Sequence, residues 1–256
     1  MNFDESEYNK LTDSEIQQIR SKIREVVNEN PPTIGIVGVS GVGKSTTLNV
    51  LFRTNLPTSP TMACTKKFQT VDLSLTLNQG IAKGMTVALR VIDAPGLGED
   101  VYRDKEYLRI YHNNLSYCDV VLWVLAARNR AIALDQQYLL KLKGHHGRIV
   151  FAINQVDLVD PVDWNTYANI PSENQEKNIA VICQDRECKI QSVFEGTVKM
   201  IPYSAKTGYN LEELFYFLID AAPEERRWIF SSLKNFHYLD FVPAQIKELI
   251  RGKGGK

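Results

Sequence analysis

Residues 33–52 read TIGIVGVSGVGKSTTLNVLF. TIGIVGV is a short apolar run rich in β-branched residues, KSTTLNVLF has helical character, and a glycine-rich turn joins the two. The reading is strand, loop, helix. Within it GVSGVGKS, at 38–45, satisfies G-x-x-x-x-G-K-[ST] in the setting that pattern demands. Glycines let successive backbone N–H groups wrap a multiply charged phosphate, where a Cβ would block the approach. The helix N-terminus adds positive potential. Contacts to phosphate are therefore predicted from Gly41, Val42, Gly43, Lys44, Ser45 and Thr46. Lys44 is expected to reach the β- and γ-phosphate oxygens as the main catalytic charge, and Ser45 to ligate Mg2+ through its hydroxyl.

Outward from this loop, strand and helix signals alternate. Val71, Leu73, Leu75 and Leu77 alternate with polar residues, which predicts a strand with one solvated face, and MTVALRVID returns after the turn at 80–84. DVVLWVLAA (119–127) and RIVFAIN (148–154) read as strands buried on both faces, as in a parallel sheet covered by helices, and TVKMIPYSA (197–205) as a weaker one. Helical stretches are expected around 100–115, 133–143, 172–192 and 210–221. The implied architecture is a doubly wound α/β domain with one antiparallel strand near its edge. Upstream, TDSE at 12–15 has the form of a capping box and precedes Ile16, Ile19, Ile23, Val26 and Val27 at helical spacing. That helix should end before Pro31 and Pro32 and pack on the main domain.

Three further segments carry candidate chemistry. Asp93 ends the strand ALRVID and opens D-A-P-G, so its carboxylate belongs at the C-terminal sheet edge near Mg2+, and the Gly96 N–H near the γ-phosphate. The long polar stretch TNLPTSPTMACTKKFQ is suspect as a functional loop. A threonine from it should complete the metal shell and serve catalysis; Thr65 is the first choice and Thr61 the second. NQVD, at 154–157, follows a buried strand directly. Asp157 can accept from the N1–H and N2 amino group of guanine, which adenine does not offer, with Asn154 and Gln155 beside it. SAK, at 204–206, closes the last strand, where the Ala205 N–H can meet guanine O6 and Lys206 can cover the ring next to Ser204.

Taken in order, these five elements resemble the GTPase superfamily, and within it the Era-like bacterial branch with its GxxGKS, Thr, DxPG, N/TKxD and SAK signatures. The similarity spans about residues 33–221. It implies a three-layer Ras-like P-loop domain with a mostly parallel sheet, GTP/GDP as ligand, Mg2+ as cofactor, and hydrolysis of GTP to GDP. Three positions depart from the pattern. Gln155 replaces the usual lysine, which predicts a missing brace and lower nucleotide affinity. Gly41 stands where potassium-stimulated relatives carry asparagine, so potassium activation is not expected. Leu97 follows D-x-x-G where Ras-like proteins place a water-orienting glutamine, which predicts slow intrinsic turnover. Arg128 and Arg130, in the loop after DVVLWVLAA, are readable as charge donors across an interface or as ordinary exposed arginines.

The bulk numbers agree with one main domain and little else. The chain has 256 residues, 44% hydrophobic and 23% charged, with thirty basic and thirty acidic side chains. That balance gives no global field selecting nucleic acid or an anionic membrane. No apolar run approaches a membrane span, and MNFDESEYNK is acidic and polar rather than a signal peptide, so a cytoplasmic location is expected. The four cysteines lack CxxC spacing and read as reduced thiols. Residues 1–32 are expected as an N-terminal helical extension, 33–222 as the G domain, and 223–256 as a C-terminal helical extension. In the last of these, aromatic residues such as Trp228 and Phe230 cover the G domain or dock a partner. Two functions compete. One is a slow GTPase switch. The other is a nucleotide-dependent module that associates with itself through its switch segments, or with an unknown effector, without appreciable hydrolysis. An ATPase or kinase would leave NQVD and SAK unexplained.

Overall fold

Thr12 starts the first helix, α1 (Asp13–Glu29), through a reciprocal cap. Its hydroxyl accepts from Glu15 N at 3.3 Å and its own N–H donates to the Glu15 carboxylate at 2.8 Å. Asn30 closes the helix just ahead of the two prolines. The computed structural model describes residues 11–52, 54–58, 68–77, 80–97, 104–227 and 229–230.

From there the chain runs β1 (Thr33–Val37), α2 (Lys44–Phe52), β2 (Gln69–Thr76), β3 (Thr86–Asp93), α3 (Asp104–Leu115), β4 (Val120–Ala126), α4 (Ala133–Lys141), β5 (Ile149–Asn154), β6 (Trp164–Asn165), β7 (Ile170–Pro171), α5 (Glu173–Gln191), β8 (Met200–Pro202) and α6 (Leu211–Asp220). The main sheet has six strands in the order β2-β3-β1-β4-β5-β8. Only β2 runs antiparallel, at the edge, and its alternating burial matches the predicted solvated face. There Asp72 lies opposite Arg90 and accepts two bonds from it, at 2.8 and 2.9 Å. Both are exposed, so the pair fixes register more than it adds stability.

β1 and β4 are buried along their whole length, as their unbroken apolar runs require. Alternate residues of β4 face two separate cores. Val120, Leu122 and Val124 join Leu48 and Leu51 of α2 and Leu214 and Phe215 of α6. Val121, Trp123 and Leu125 join Tyr111 of α3, Leu139 of α4 and Ile179 of α5. The result is helix, sheet, helix. The sequence-predicted strand at 197–205 shrinks to Met200–Pro202, although Tyr203 N still donates to Ile153 O of β5 at 2.9 Å. The short β6–β7 hairpin was not predicted.

Both ends of the described chain pack on the first core. Val27 of α1, with Ile229 and Phe230, is fully buried there. Arg226 donates to Asn30 O at 2.7 Å and lies 3.3 Å from the Asp119 carboxylate, which in turn accepts from the N–H of Thr33 at 2.8 Å. Residues 231–256 and the side chain of Trp228 lie outside the described residues. Deleting the Phe230 ring should leave a cavity costing about 3 kcal/mol. Urea unfolding of Phe230→Ala is expected to show that loss, and an unchanged midpoint would contradict the packing. Among the described residues, no helix is long and apolar enough to cross a membrane, and Cys118, Cys183 and Cys188 are free thiols.

Candidate functional site

The parallel strands fix where the chemistry converges. In register, Ile36 stands beside Asp93, Val37 beside Trp123, Ala126 beside Asn154 and Ile153 beside Pro202. The C-terminal ends of β1, β3, β5 and β8 therefore share one edge, the side on which open α/β sheets place their ligand sites.

The phosphate-loop pattern leaves β1 at this edge. Gly43 holds φ +93°, and a Cβ on it would collide with the side-chain nitrogen of Asn154. Glycine is required there by both conformation and space. Lys44 is buried and donates to the carbonyls of Gly38 and Val39 at 3.0 and 3.1 Å, which folds its stem under the loop. The Ser45 hydroxyl donates to Asp93 Oδ2 at 2.6 Å. The two described residues predicted as metal ligands are thus adjacent, a hydroxyl and a carboxylate, which is the hard oxygen chemistry Mg2+ takes. Among the described residues, no group of three or more His, Cys, Asp or Glu side chains could hold a metal ion. A cation here would rely on these two oxygens plus phosphate and water, the usual arrangement for Mg2+. Thr46 is half-buried on the first turn of α2. Thr65 and Thr61 lie outside the described residues.

After Asp93 the chain stays against the phosphate loop. Leu97 N donates to Gly38 O at 3.2 Å, and Leu97 forms a parallel bridge with Val39, so Gly96 lies beside the loop's first residues. The Tyr111 hydroxyl of α3 donates to Pro95 O and holds this turn from below. The Leu97 side chain is 2% exposed and belongs to the second core. Arg128 and Arg130 are exposed in the loop after β4.

On the base side, Asn154 is a strut. Its amide donates to Val42 O at 2.9 Å and accepts from Ala205 N at 3.0 Å, joining the phosphate loop to the SAK loop. The Ala205 N–H, expected from the sequence to meet guanine O6, here donates to the Asn154 side chain. Ser204 is also turned inward, fully buried, donating to Asp157 Oδ1 at 2.7 Å and accepting from Thr207 N at 3.1 Å. It orients Asp157, whose other oxygen has no protein donor among the described residues. Lys206 is exposed at the rim. Gln155 stands where the usual lysine is missing. At φ +65° it turns its amide back to Gly41 O at 3.0 Å, so the brace to the phosphate loop persists without the lysine's charge.

Sequence reading missed three positioning residues. Thr47 of α2 bonds both Gly43 O and the buried Tyr203 hydroxyl, each at 2.8 Å, tying the loop's helix to the strand that delivers SAK. Gln175, fully buried, donates to Val159 O at 2.9 Å and reaches the carbonyls of Val156 and Asp157 at 3.5 and 3.4 Å. SENQ at 172–175 has the form of a capping box, and Ser172 does cap α5, but the glutamine side chain crosses to the 156–159 turn instead. Gln175→Leu keeps the volume and removes the donor. It is expected to lower stability by about 1–2 kcal/mol in chemical denaturation and to weaken nucleotide affinity several-fold by titration.

Asp135 is the third. It is fully buried on α4, accepts from the Trp123 indole at 2.8 Å, and has no partner for its second oxygen. Desolvation by burial pushes its carboxyl up to about 6, against the opposing pull of the Trp123 bond and the Lys44 charge. The folded value exceeds the ordinary one, so stability should fall as pH rises from about 4 to 6 and stay level above. Asp135→Asn keeps an oxygen for the indole. It should be more stable than the parent at pH 7.5 by up to roughly 3 kcal/mol, with the gap closing near pH 4 in thermal melts.

Comparison with known proteins agrees with this geometry. Residues 33–155 match the family described as 50S ribosome-binding GTPase. The chain is 28% identical over 197 residues to YfjP of Escherichia coli, covering 76% of this chain and 63% of that protein. To YkfA of the same organism it is 28% identical over 217 residues, covering 82% and 68%. It thus spans about two thirds of the length of these relatives. Among solved structures, Era of Aquifex aeolicus bound to GDP and AlF4− superposes with a TM-score of 0.54 at 23% identity, covering 75% of this chain and 57% of that one. That likeness gives the fold, a mostly parallel sheet with one antiparallel edge strand between helical layers. Over residues 33–155, just under half of its length, the chain is thus similar to P-loop GTPases, and the sheet built on that segment has the Ras-like fold.

Proposed function

We propose that the protein binds GTP and GDP with Mg2+ and hydrolyses GTP slowly, acting as a nucleotide-dependent switch. The observation that carries this reading is the hydrogen-bonded strut from Val42 O through Asn154 to Ala205 N, which sets the phosphate loop and the Asp157 carboxylate at a fixed separation on one sheet edge. A guanine nucleotide satisfies both ends; a ligand lacking either the phosphates or the N1–H and N2 donors leaves one unmet.

In this reading Gly41, Val42, Gly43 and Thr46 present backbone N–H groups to the phosphates, with Gly96 on the γ side. Lys44 exchanges its two carbonyl acceptors for phosphate oxygens and balances charge on the leaving diphosphate as water attacks the γ-phosphorus. Ser45 and Asp93, with a threonine from the 54–67 segment, hold Mg2+, which neutralises phosphate charge when bound. Asp157 reads the purine, Gln155 braces the loop, and Lys206 covers the ring. Residues 33–222 form the nucleotide-binding domain, with 1–32 and 223–256 as its extensions. The location is cytoplasmic, and the partners are a second copy through the switch segments or a protein effector.

Burial of Leu97 favours a second reading, in which bound GTP organises an interaction surface and hydrolysis is negligible. Phosphate release from GTP and ATP separates the two. Slow release from GTP alone, absent in Lys44→Ala, supports the switch. GTP binding without release supports the module, and turnover of ATP alone overturns both.

A further inference from the structure

The segment between the base-reading turn and α5 takes no part in the nucleotide contacts described above, yet it is bonded to the SAK loop. Asn169, the last residue of the turn joining β6 to β7, donates through Nδ2 to Thr207 O at 3.0 Å. Its Oδ1 accepts from the Trp164 indole at 3.1 Å. An indole N–H only donates and a carbonyl only accepts, so these two neighbours permit a single orientation of the amide. Asn169 also holds φ +54°, a left-handed conformation that asparagine tolerates better than most residues. Trp164 touches the same loop again, packing edge-on against Tyr209 with ring centroids 5.1 Å apart. Tyr209 O accepts from Ser204 N at 3.1 Å.

These contacts run in series. Asn169 holds the Thr207 carbonyl, Thr207 N donates to the Ser204 hydroxyl, and that hydroxyl donates to Asp157. The hairpin itself is closed by Ser172 N to Asp163 O at 3.1 Å and by Ala168 N to Asn165 Oδ1 at 2.9 Å. Through Thr207 and Tyr209 it holds the SAK loop, one of the two segments that would grip the base.

We propose that the 163–172 hairpin is a base-side latch, with Asn169 and Trp164 as positioning residues that set how long a guanine nucleotide stays bound. This rests on the guanine reading of the Asp157 and Ala205 site. With the latch closed, Ser204 cannot rotate off Asp157 without breaking the Thr207 bond. Opening it loosens the Ser204–Thr207 side of the SAK loop, while Ala205 stays on Asn154 and the phosphate loop keeps its own contacts to Asn154 and Gln155.

Asn169→Asp is the selective test. The carboxylate still accepts from the Trp164 indole and tolerates the left-handed backbone, but it faces the Thr207 carbonyl with no hydrogen to give. Dissociation of N-methylanthraniloyl-GDP from the full chain with Mg2+, chased by excess GDP in a stopped-flow instrument, is expected to quicken about tenfold. Trp164→Phe keeps an aromatic ring for Tyr209 but loses the indole donor and the bulk of the second ring, with an expected rise of about threefold. The double variant should release nucleotide no faster than Asn169→Asp alone, since the indole acts through Asn169. General weakening of the fold would instead make the two effects add. Tyr167→Ser, at the 68% exposed tip of the hairpin, should change nothing. A parent protein that binds no analogue overturns the guanine reading and the latch with it. Tight binding by the parent, with release from both single variants within twofold of it, overturns the latch alone. If Asn169→Asp does not fold, Trp164→Phe decides the matter by the same rate.

Discussion

Asp157→Asn is expected to change the preferred base from guanine to xanthine. One carboxylate oxygen accepts from the Ser204 hydroxyl, and an asparagine oxygen can keep that bond. The other position becomes an NH2 donor. Guanine offers only donors, N1–H and the N2 amino group, to this edge, so the variant would set donor against donor. Xanthine carries a carbonyl at C2 and accepts. Two charge-assisted bonds lost on one side and one gained on the other should move the guanine-to-xanthine affinity ratio by about ten-thousandfold. Calorimetric titration of GDP and XDP against parent and variant measures the ratio, and a variant that still prefers GDP would contradict the base-reading role.

Lys44→Ala should remove most nucleotide affinity, about a thousandfold for GTP, while leaving the fold nearly as stable. The ammonium is buried beneath the loop and held by the Gly38 and Val39 carbonyls, so its removal also removes the desolvation cost of a buried cation. Affinity by fluorescent-nucleotide titration and stability by thermal melting should therefore separate. A large fall in both would mean that the lysine serves structure first.

The framework was legible because its signals are local. β-branched runs gave β1, β4 and β5, period-two alternation gave β2, and the TDSE box gave the start of α1. Parallel strands then carry any motif that follows them to one edge, so Ser45, Asp93, Asn154 and Asp157 were findable from position alone. What stayed hidden depends on contacts between distant segments. Gln155 looked like a lost brace because its left-handed backbone, which aims the amide at Gly41, leaves no mark in the sequence. Asn154 and Ser204 are expected as nucleotide contacts, but nothing in their motifs signals that their polar atoms also hold other parts of the site. Thr47, Gln175 and Asn169 belong to no motif, and strands as short as β6 and β7 fall below any periodicity. These residues share one task, since each fastens one motif-bearing loop to another element.

Asp135 stands apart from that pattern. A fully buried carboxylate with one unpartnered oxygen works against stability at neutral pH, and the Lys44 charge is among the features that moderate the penalty. The bond to Trp123, whose strand neighbour is Val37 at the root of the phosphate loop, places α4 in register with that loop.

The most direct measurement is a crystal structure of the full chain with GDP and Mg2+. The diphosphate should lie within hydrogen-bond reach of the backbone N–H groups at 41–46, with the cation at Ser45 and the purine edge on the Asp157 carboxylate. A nucleotide seated elsewhere, with Asp157 turned away from it, would contradict the account.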